Sequence, residues 1–190
     1  LLLSHLSRYP AMEIADLVKL IYQSEFAGGH LIVDAVQSET RMEEERRAAS
    51  AADAPPFTFE YIGGGLCRLH LGALNALGLS TATANRLFIR TAETVQGDTA
   101  RFERKLSELL DCCREGLLPF DADETADYIA RLKAKGYPPV SHSEAYRAAY
   151  HPAYRVVSAS YRDYIETFCR IDELLKQENP VRVAIDGGSA

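Results

Sequence analysis

The chain has 190 residues, a formal net charge of −6 and 47% hydrophobic residues. This length accommodates one domain, or one domain and the start of a second. The apolar fraction excludes a disordered chain, and the acidic balance argues against nucleic-acid binding, because phosphate backbones attract basic surfaces. No apolar run reaches the roughly 18 residues that a membrane helix needs, so we expect no membrane partner.

Helical periodicity, with glycine stops and capping residues, predicts a mainly α fold with at most one or two short strands. The predicted helices cover 9–25, 33–49, 66–77, 81–95, a segment after Asp98, 121–136, 141–150 and 161–177. Segment 57–61 alternates aromatic and polar residues, which indicates a short strand or an extended arm laid on a helix.

The number and spacing of the cysteines indicate the redox state of the cellular compartment. The four cysteines are Cys67, Cys112, Cys113 and Cys169. They form no CxxC pair, so the spacing of a zinc site is absent and we expect no bound metal. We expect reduced thiols in a cytoplasmic protein.

A change of composition at 178–180 predicts a domain boundary. We expect an α-helical accessory domain over 1–178, and over 179–190 a linker and the first strand of a truncated P-loop α/β domain. Residues 181–185 are β-prone, and Asp186-Gly187-Gly188-Ser189-Ala190 follows at once. A strand that runs into a Gly-rich loop opens the motif G-x-x-x-x-G-K-[ST], whose remaining residues would follow Ala190. The alternative is a flexible Gly-Ser tail.

Residues 184–190 resemble the P-loop opening of the uridine kinase/phosphoribulokinase family. The resemblance implies an ATP-dependent kinase that phosphorylates a nucleoside or a similar hydroxylated substrate with ATP and Mg²⁺ in the full-length parent. It also implies that the backbone at Gly187, Gly188, Ser189 and Ala190 cradles phosphate. Without the P-loop lysine, we expect these 190 residues to bind no cofactor and to transfer no phosphoryl group. The helical domain resembles no family that we name.

Three groups of residues in the helical part are candidates for ligand binding. Glu25 and His30 flank the glycines that end the first long helix, where the alternative is a helix C-cap. Gly63, Gly64 and Gly65, with Arg68 and His70, suggest an anion cradle at the start of a helix, with Arg68 in its first turn. The alternative for this second group is a flexible connector, with Arg68 paired to Glu60 on the surface.

The third group is a tyrosine-rich segment that contains His151 and Arg155. These two side chains either join the Gly-rich loop in one pocket or belong to a packed tyrosine seam. His5 and His142 fit plain surface positions.

Three functions remain open from the sequence. The first is a ligand-binding or regulatory domain in front of its own kinase domain, with a small anionic metabolite as ligand. The second is a separate enzyme domain that acts on such a metabolite. The third is a structural or oligomerisation module. A cluster of His, Arg and Glu side chains favours the first two, and a broad apolar face favours the third.

Overall fold

The computed structural model describes residues 1–49, 56–177 and 180–184. Within these residues the chain is mainly α, as predicted, with three short strands in one sheet. The helices are α1 Leu2–Arg8, α2 Ile14–Phe26, α3 Ala35–Ala48, α4 Leu74–Leu77, α5 Thr81–Thr94, α6 Thr99–Arg114, α7 Ala122–Ala134, α8 Glu144–Tyr150 and α9 Ile165–Gln177. The strands are β1 Phe59–Gly63, β2 Leu66–His70 and β3 Tyr154–Ser158.

Short polar side chains fix where several helices begin. The side chains that accept a backbone N–H at a helix start are Asp34, Ser80, Asp98, Asp121 and Ser143. Each cap satisfies a donor that the first turn leaves free, which stabilises a helix by about 1 kcal/mol. The predicted starts near Ser80, Asp98 and Asp121 are confirmed, whereas α8 begins after Ser143 and not at Ser141.

β2 is the central strand of an antiparallel sheet of order β1-β2-β3. The prediction of a helix over 66–77 was wrong for residues 66–70, all of which are buried. A strand covered on both faces shows no alternation of polar and apolar residues. Leu66 and Leu69 lie three residues apart, a spacing that also fits one face of a helix.

The hairpin between β1 and β2 accounts for the three consecutive glycines. Gly63, Gly64 and Gly65 all have positive φ, at 90°, 61° and 72°. Gly63 pairs with Leu66, so Gly64 and Gly65 form a two-residue turn of the kind that needs positive φ at both positions. A Cβ on Gly64 would lie 2.1 Å from the carbonyl oxygen of Ser24. The glycines therefore serve a tight turn packed against the end of α2.

The sheet lies between two groups of helices. On one face, Ile62, Leu66 and Val156 pack against Leu20 of α2. On the other face, Leu69 and Val157 pack in a core with residues of α3, α4 and α5. A third core joins α2 to α6 and α7, beyond the first face. Alternate residues of one strand therefore face different cores, which decides where each polar side chain of the sheet points.

Residues 180–184 follow α9 without regular secondary structure, outside all three cores. Val183 is 56% exposed. Gly187, Gly188, Ser189 and Ala190, which the sequence assigns to a P-loop opening, lie outside the described residues. In the part of the chain that the structure describes, no helix has both the length and the apolar character needed to cross a membrane.

Candidate functional site

A fully buried arginine lies at the centre of the sheet face that packs on α2. Arg68 has no exposed surface, although the sequence suggested a position in the first turn of a helix. Its Nε and Nη2 donate to Gln23 Oε1 at 3.2 and 3.0 Å, and its Nη1 donates to Glu60 Oε2 at 3.3 Å. Its guanidinium also lies 4.6 Å from the centre of the Tyr154 ring. The pairing of Arg68 with Glu60 is thus an internal one.

Glu60 is the carboxylate on which the charges of this centre converge. The register pairs Glu60 with Arg68 across β1 and β2, so both side chains lie on the same face. Arg8 Nη1 donates to Glu60 Oε1 at 2.9 Å. Burial raises the pKa of Glu60, but Arg68 and His5 outweigh it and hold this pKa below the usual value. Glu60 is therefore charged at neutral pH.

Two imidazoles flank Glu60. His5 Nε2 lies 3.6 Å from Glu60 Oε1, and His70 Nε2 lies 4.0 Å from Glu60 Oε2. Both nitrogens are buried and lack a hydrogen-bond partner among the described residues. Burial lowers the pKa of His70 to about 4, against the opposing influence of Glu60, and it lowers the pKa of His5 as well. Both rings are therefore neutral at pH 7, with hydrogen-bonding capacity that the protein leaves unused.

We call Gln23, Glu60, Arg68, His70 and Tyr154, together with His5 and Arg8, the Arg68 centre.

A series of hydrogen bonds connects the Arg68 centre to Asp16. Gln23 Nε2 donates to the Tyr154 hydroxyl at 3.2 Å, which in turn lies 2.5 Å from His142 Nε2. His142 Nδ1 lies 2.7 Å from Asp16 Oδ1 and must donate to it, since a carboxylate only accepts. Nε2 of neutral His142 therefore accepts a hydrogen bond from the Tyr154 hydroxyl.

Asp16 is the last residue of this series of hydrogen bonds, and its two carboxylate oxygens accept four of them. Besides His142, it accepts from the backbone N–H and the hydroxyl of Ser143 and from the backbone N–H of Glu13. Burial raises the pKa of Asp16, but the hydrogen bonds from His142 and Ser143 outweigh it and hold this pKa below its usual value. Burial lowers the pKa of His142 to about 4 despite the neighbouring carboxylate. Asp16 thus fixes the ring orientation and tautomer of His142.

The exposed side of the Arg68 centre is formed by Arg8 and Phe57. The side chain of Arg8 is 43% exposed, whereas that of Glu60 below it is 1% exposed. The guanidinium of Arg8 lies 4.6 Å from the centre of the Phe57 ring, which also contacts His70 edge to face. A ligand that approaches Glu60 from this side meets Arg8 first.

The structure separates the residues that the sequence grouped into a ligand pocket. Arg68 and His70 lie on the same face of β2, with His70 at the end of the strand away from the glycine turn. No helix follows that turn, so the predicted cradle of helix N–H groups is not formed. Arg155 lies on the opposite face, where it donates to both oxygens of Glu45 on α3. His151 is exposed at the end of α8.

Glu25 and His30 lie away from the centre. Glu25 is buried and accepts from Arg101 and Lys105 of α6. Burial raises the pKa of Glu25, but these two partners lower it to about 2. His30 is exposed in the turn after α2, edge to face with Tyr22. The Glu25 cluster therefore joins α2 to α6, and a role of Glu25 or His30 in ligand binding stays a prediction.

His5 of the Arg68 centre, and His142 of the series that connects the centre to Asp16, carry no local sequence signal. His5 and His142, which fit surface positions by sequence, are buried instead. Their partners come from β1 and α2, far along the chain, so only the tertiary fold reveals them. Among the described residues, no three His, Cys, Asp or Glu side chains converge on a point where a metal ion could bind.

Comparison with protein-family models, with curated proteins and with solved structures finds no match to this chain. The functional argument therefore depends on the residues and geometry of the chain itself.

Proposed function

We propose that residues 1–178 form an accessory, ligand-binding or regulatory domain in front of a uridine kinase-like, ATP-dependent P-loop kinase. ATP and Mg²⁺ would bind in the kinase part, at a loop that begins with Gly187, Gly188, Ser189 and Ala190. The Arg68 centre would be the ligand site of the accessory domain. Four free cysteines support a cytoplasmic location for the protein.

The segment after α9 supports the division into two units. The cores of the helical part draw their residues from positions up to Cys169. Residues 181–184 are β-prone, yet they have no regular secondary structure and do not join the sheet. An exposed apolar segment of this kind suits the first strand of a separate α/β unit, which would bury it.

The Arg68 centre is the observation that carries the ligand-binding role. One arginine, one carboxylate and two neutral histidines are buried over one face of a three-stranded sheet, and a second arginine, Arg8, covers them from the solvent side. Burying charges costs several kcal/mol per ion before pairing offsets it. A purely structural module reaches the same packing with apolar side chains, so the polar centre favours a role in recognition. Since Arg68 already pairs with Glu60, an anionic ligand would have to compete with that carboxylate, and this ligand class stays a prediction.

Two measurements test the proposal. The reading frame after Ala190 should supply the second glycine, the lysine and the Ser or Thr of the P-loop, and the 190-residue chain alone should show no binding of Mg-ATP by calorimetry. A stop codon directly after Ala190, or micromolar binding of Mg-ATP to the chain, would remove the kinase part of the proposal.

The ligand-binding part is tested separately by thermal shift with small anionic, neutral and cationic metabolites. At least one should raise the melting temperature of the chain and leave that of Glu60→Gln unchanged. Glu45→Gln is the matched control, because Glu45 pairs with Arg155 on the other face of the sheet. If no compound stabilises the chain, or if Glu60→Gln responds equally, the Arg68 centre is not a ligand site.

A separate enzyme domain is the second candidate. The observation in its favour is the series Asp16, His142 and Tyr154, in which a carboxylate orients an imidazole whose other nitrogen meets a phenol. Such an arrangement can relay a proton. Tyr154→Phe removes the phenolic proton and keeps the ring, so any turnover of a metabolite that depends on this series must be lost in that variant.

A further inference from the structure

In the corner of the Arg68 centre next to Arg8, one buried nitrogen has no hydrogen-bond partner among the described residues. His5 Nδ1 faces the carbonyl oxygen of Leu1 at 3.1 Å, and a carbonyl only accepts, so Nδ1 carries the proton of the neutral ring. His5 Nε2 is then a bare acceptor, buried and 3.6 Å from Glu60 Oε1. Two acceptors thus lie side by side, and Arg8 Nη1 donates to the carboxylate alone.

The Arg8 side chain lies where another planar cation can replace it at Glu60. Arg8 ends α1, a helix of seven residues without a side-chain N-cap, and isolated helices of this length are unstable. The guanidinium of Arg8 reaches Glu60 from the solvent side, across the Phe57 ring. A carboxylate below an aromatic ring is a favourable environment for a planar cation.

We propose that Glu60, His5 Nε2 and the Phe57 ring form a binding site for a small guanidinium compound, which Arg8 occupies as an internal competitor. A guanidinium carries five N–H donors in a fixed plane. A free one can donate to Glu60 and to His5 Nε2 together while it stacks on Phe57. The net charge of −6 favours the approach of a cation. The inference rests on the proposed ligand-binding role of the Arg68 centre and is independent of any kinase domain.

Calorimetry at pH 7.5 with agmatine as probe tests the competition. Arg8→Ala empties the site, so agmatine should bind this variant at least tenfold more tightly than the unmodified chain. Phe57→Leu in the Arg8→Ala background should weaken binding at least tenfold. Arg41→Ala, on the exposed side of α3, is the matched control and should bind as the unmodified chain does. N-butylurea, which is planar but uncharged, should not bind to Arg8→Ala.

Binding to Arg8→Ala that equals or falls below binding to the unmodified chain would overturn the inference, since Arg8 would then not be a competitor. Equal binding of N-butylurea, or indifference to Phe57→Leu, would overturn it as well. A cooperative thermal melt of each variant confirms that it is folded. If agmatine does not bind while another metabolite stabilises the chain in a way that depends on Glu60, the guanidinium site is refuted and the ligand-binding role of the Arg68 centre is retained. If no metabolite binds, both fall.

Discussion

Acid should destabilise this domain well above the range in which its carboxylates titrate. His70 and His142 are buried and neutral, and the pKa of each is lowered from 6.5 to about 4. In the unfolded chain both rings return to the ordinary value, so the unfolded state binds more protons between pH 6.5 and pH 4. Stability therefore falls as the pH drops through this window, and it is fully present above pH 6.5.

The two pKa values set the size of the effect. At pH 5 an unfolded histidine is almost fully protonated, whereas a folded one with a pKa near 4 is mostly neutral. The difference in proton binding corresponds to about 2 kcal/mol for each ring, hence about 4 kcal/mol for the pair. Carboxylates such as Glu25, whose pKa is about 2, contribute little above pH 5.

Urea unfolding followed by circular dichroism at pH 7.5 and pH 5 measures this difference. In the variant His142→Gln, the loss between the two pH values should shrink by about 2 kcal/mol, because the contribution of His142 is removed and those of the other buried histidines remain. His151→Asn is the matched control, since His151 is exposed and has positive φ, which Asn tolerates. A free energy of unfolding that changes by less than about 1 kcal/mol, or an undiminished loss in His142→Gln, would refute the reasoning.

Three further outcomes are expected from urea unfolding at neutral pH. Gly64→Ala should cost more stability than Gly65→Ala. Both changes place alanine at a positive φ, at about 1 kcal/mol, but only at position 64 would the added Cβ lie 2.1 Å from the Ser24 carbonyl oxygen. Equal losses would contradict the close approach. Asp98→Ala should cost about 1 kcal/mol through the cap of α6, and an unchanged value would mean that this cap is dispensable. Phe88→Ala should cost about 3–5 kcal/mol through a cavity in the core behind the sheet, and a loss below about 1 kcal/mol would contradict its burial.

The helices were the most predictable part of the fold. The caps at Asp98 and Asp121, followed by apolar residues at helical spacing, are local signals, and local signals can be recognised in sequence. The start of α2 was predicted less well: the helix begins at Ile14, because Glu13 and Asp16 form a reciprocal cap that outweighs the preference of Pro10 for a first helical position.

The sheet and the Arg68 centre could not be predicted in the same way. β2 is covered on both faces, so its residues lack the alternation that identifies a strand. The glycines before it suggested a ligand cradle, but a hairpin turn with two positive φ angles explains them. The partners of Arg68 lie on α2 and β1, and nothing in the spacing of Gln23, Glu60 and Arg68 brings them together before the chain has folded.

The position of β2 between β1 and β3 has a consequence for biosynthesis. β1 directly precedes β2, but β3 emerges only after five further helices, α4 to α8, have been made. Domains are synthesised from the N-terminus, so in the growing chain the edge of β2 that will pair with β3 is still open, and Arg68 lacks the Tyr154 ring. Such an edge can pair with other chains. The arrival of residues 154–158 pairs this edge of β2 and places the Tyr154 ring over Arg68 in the same step.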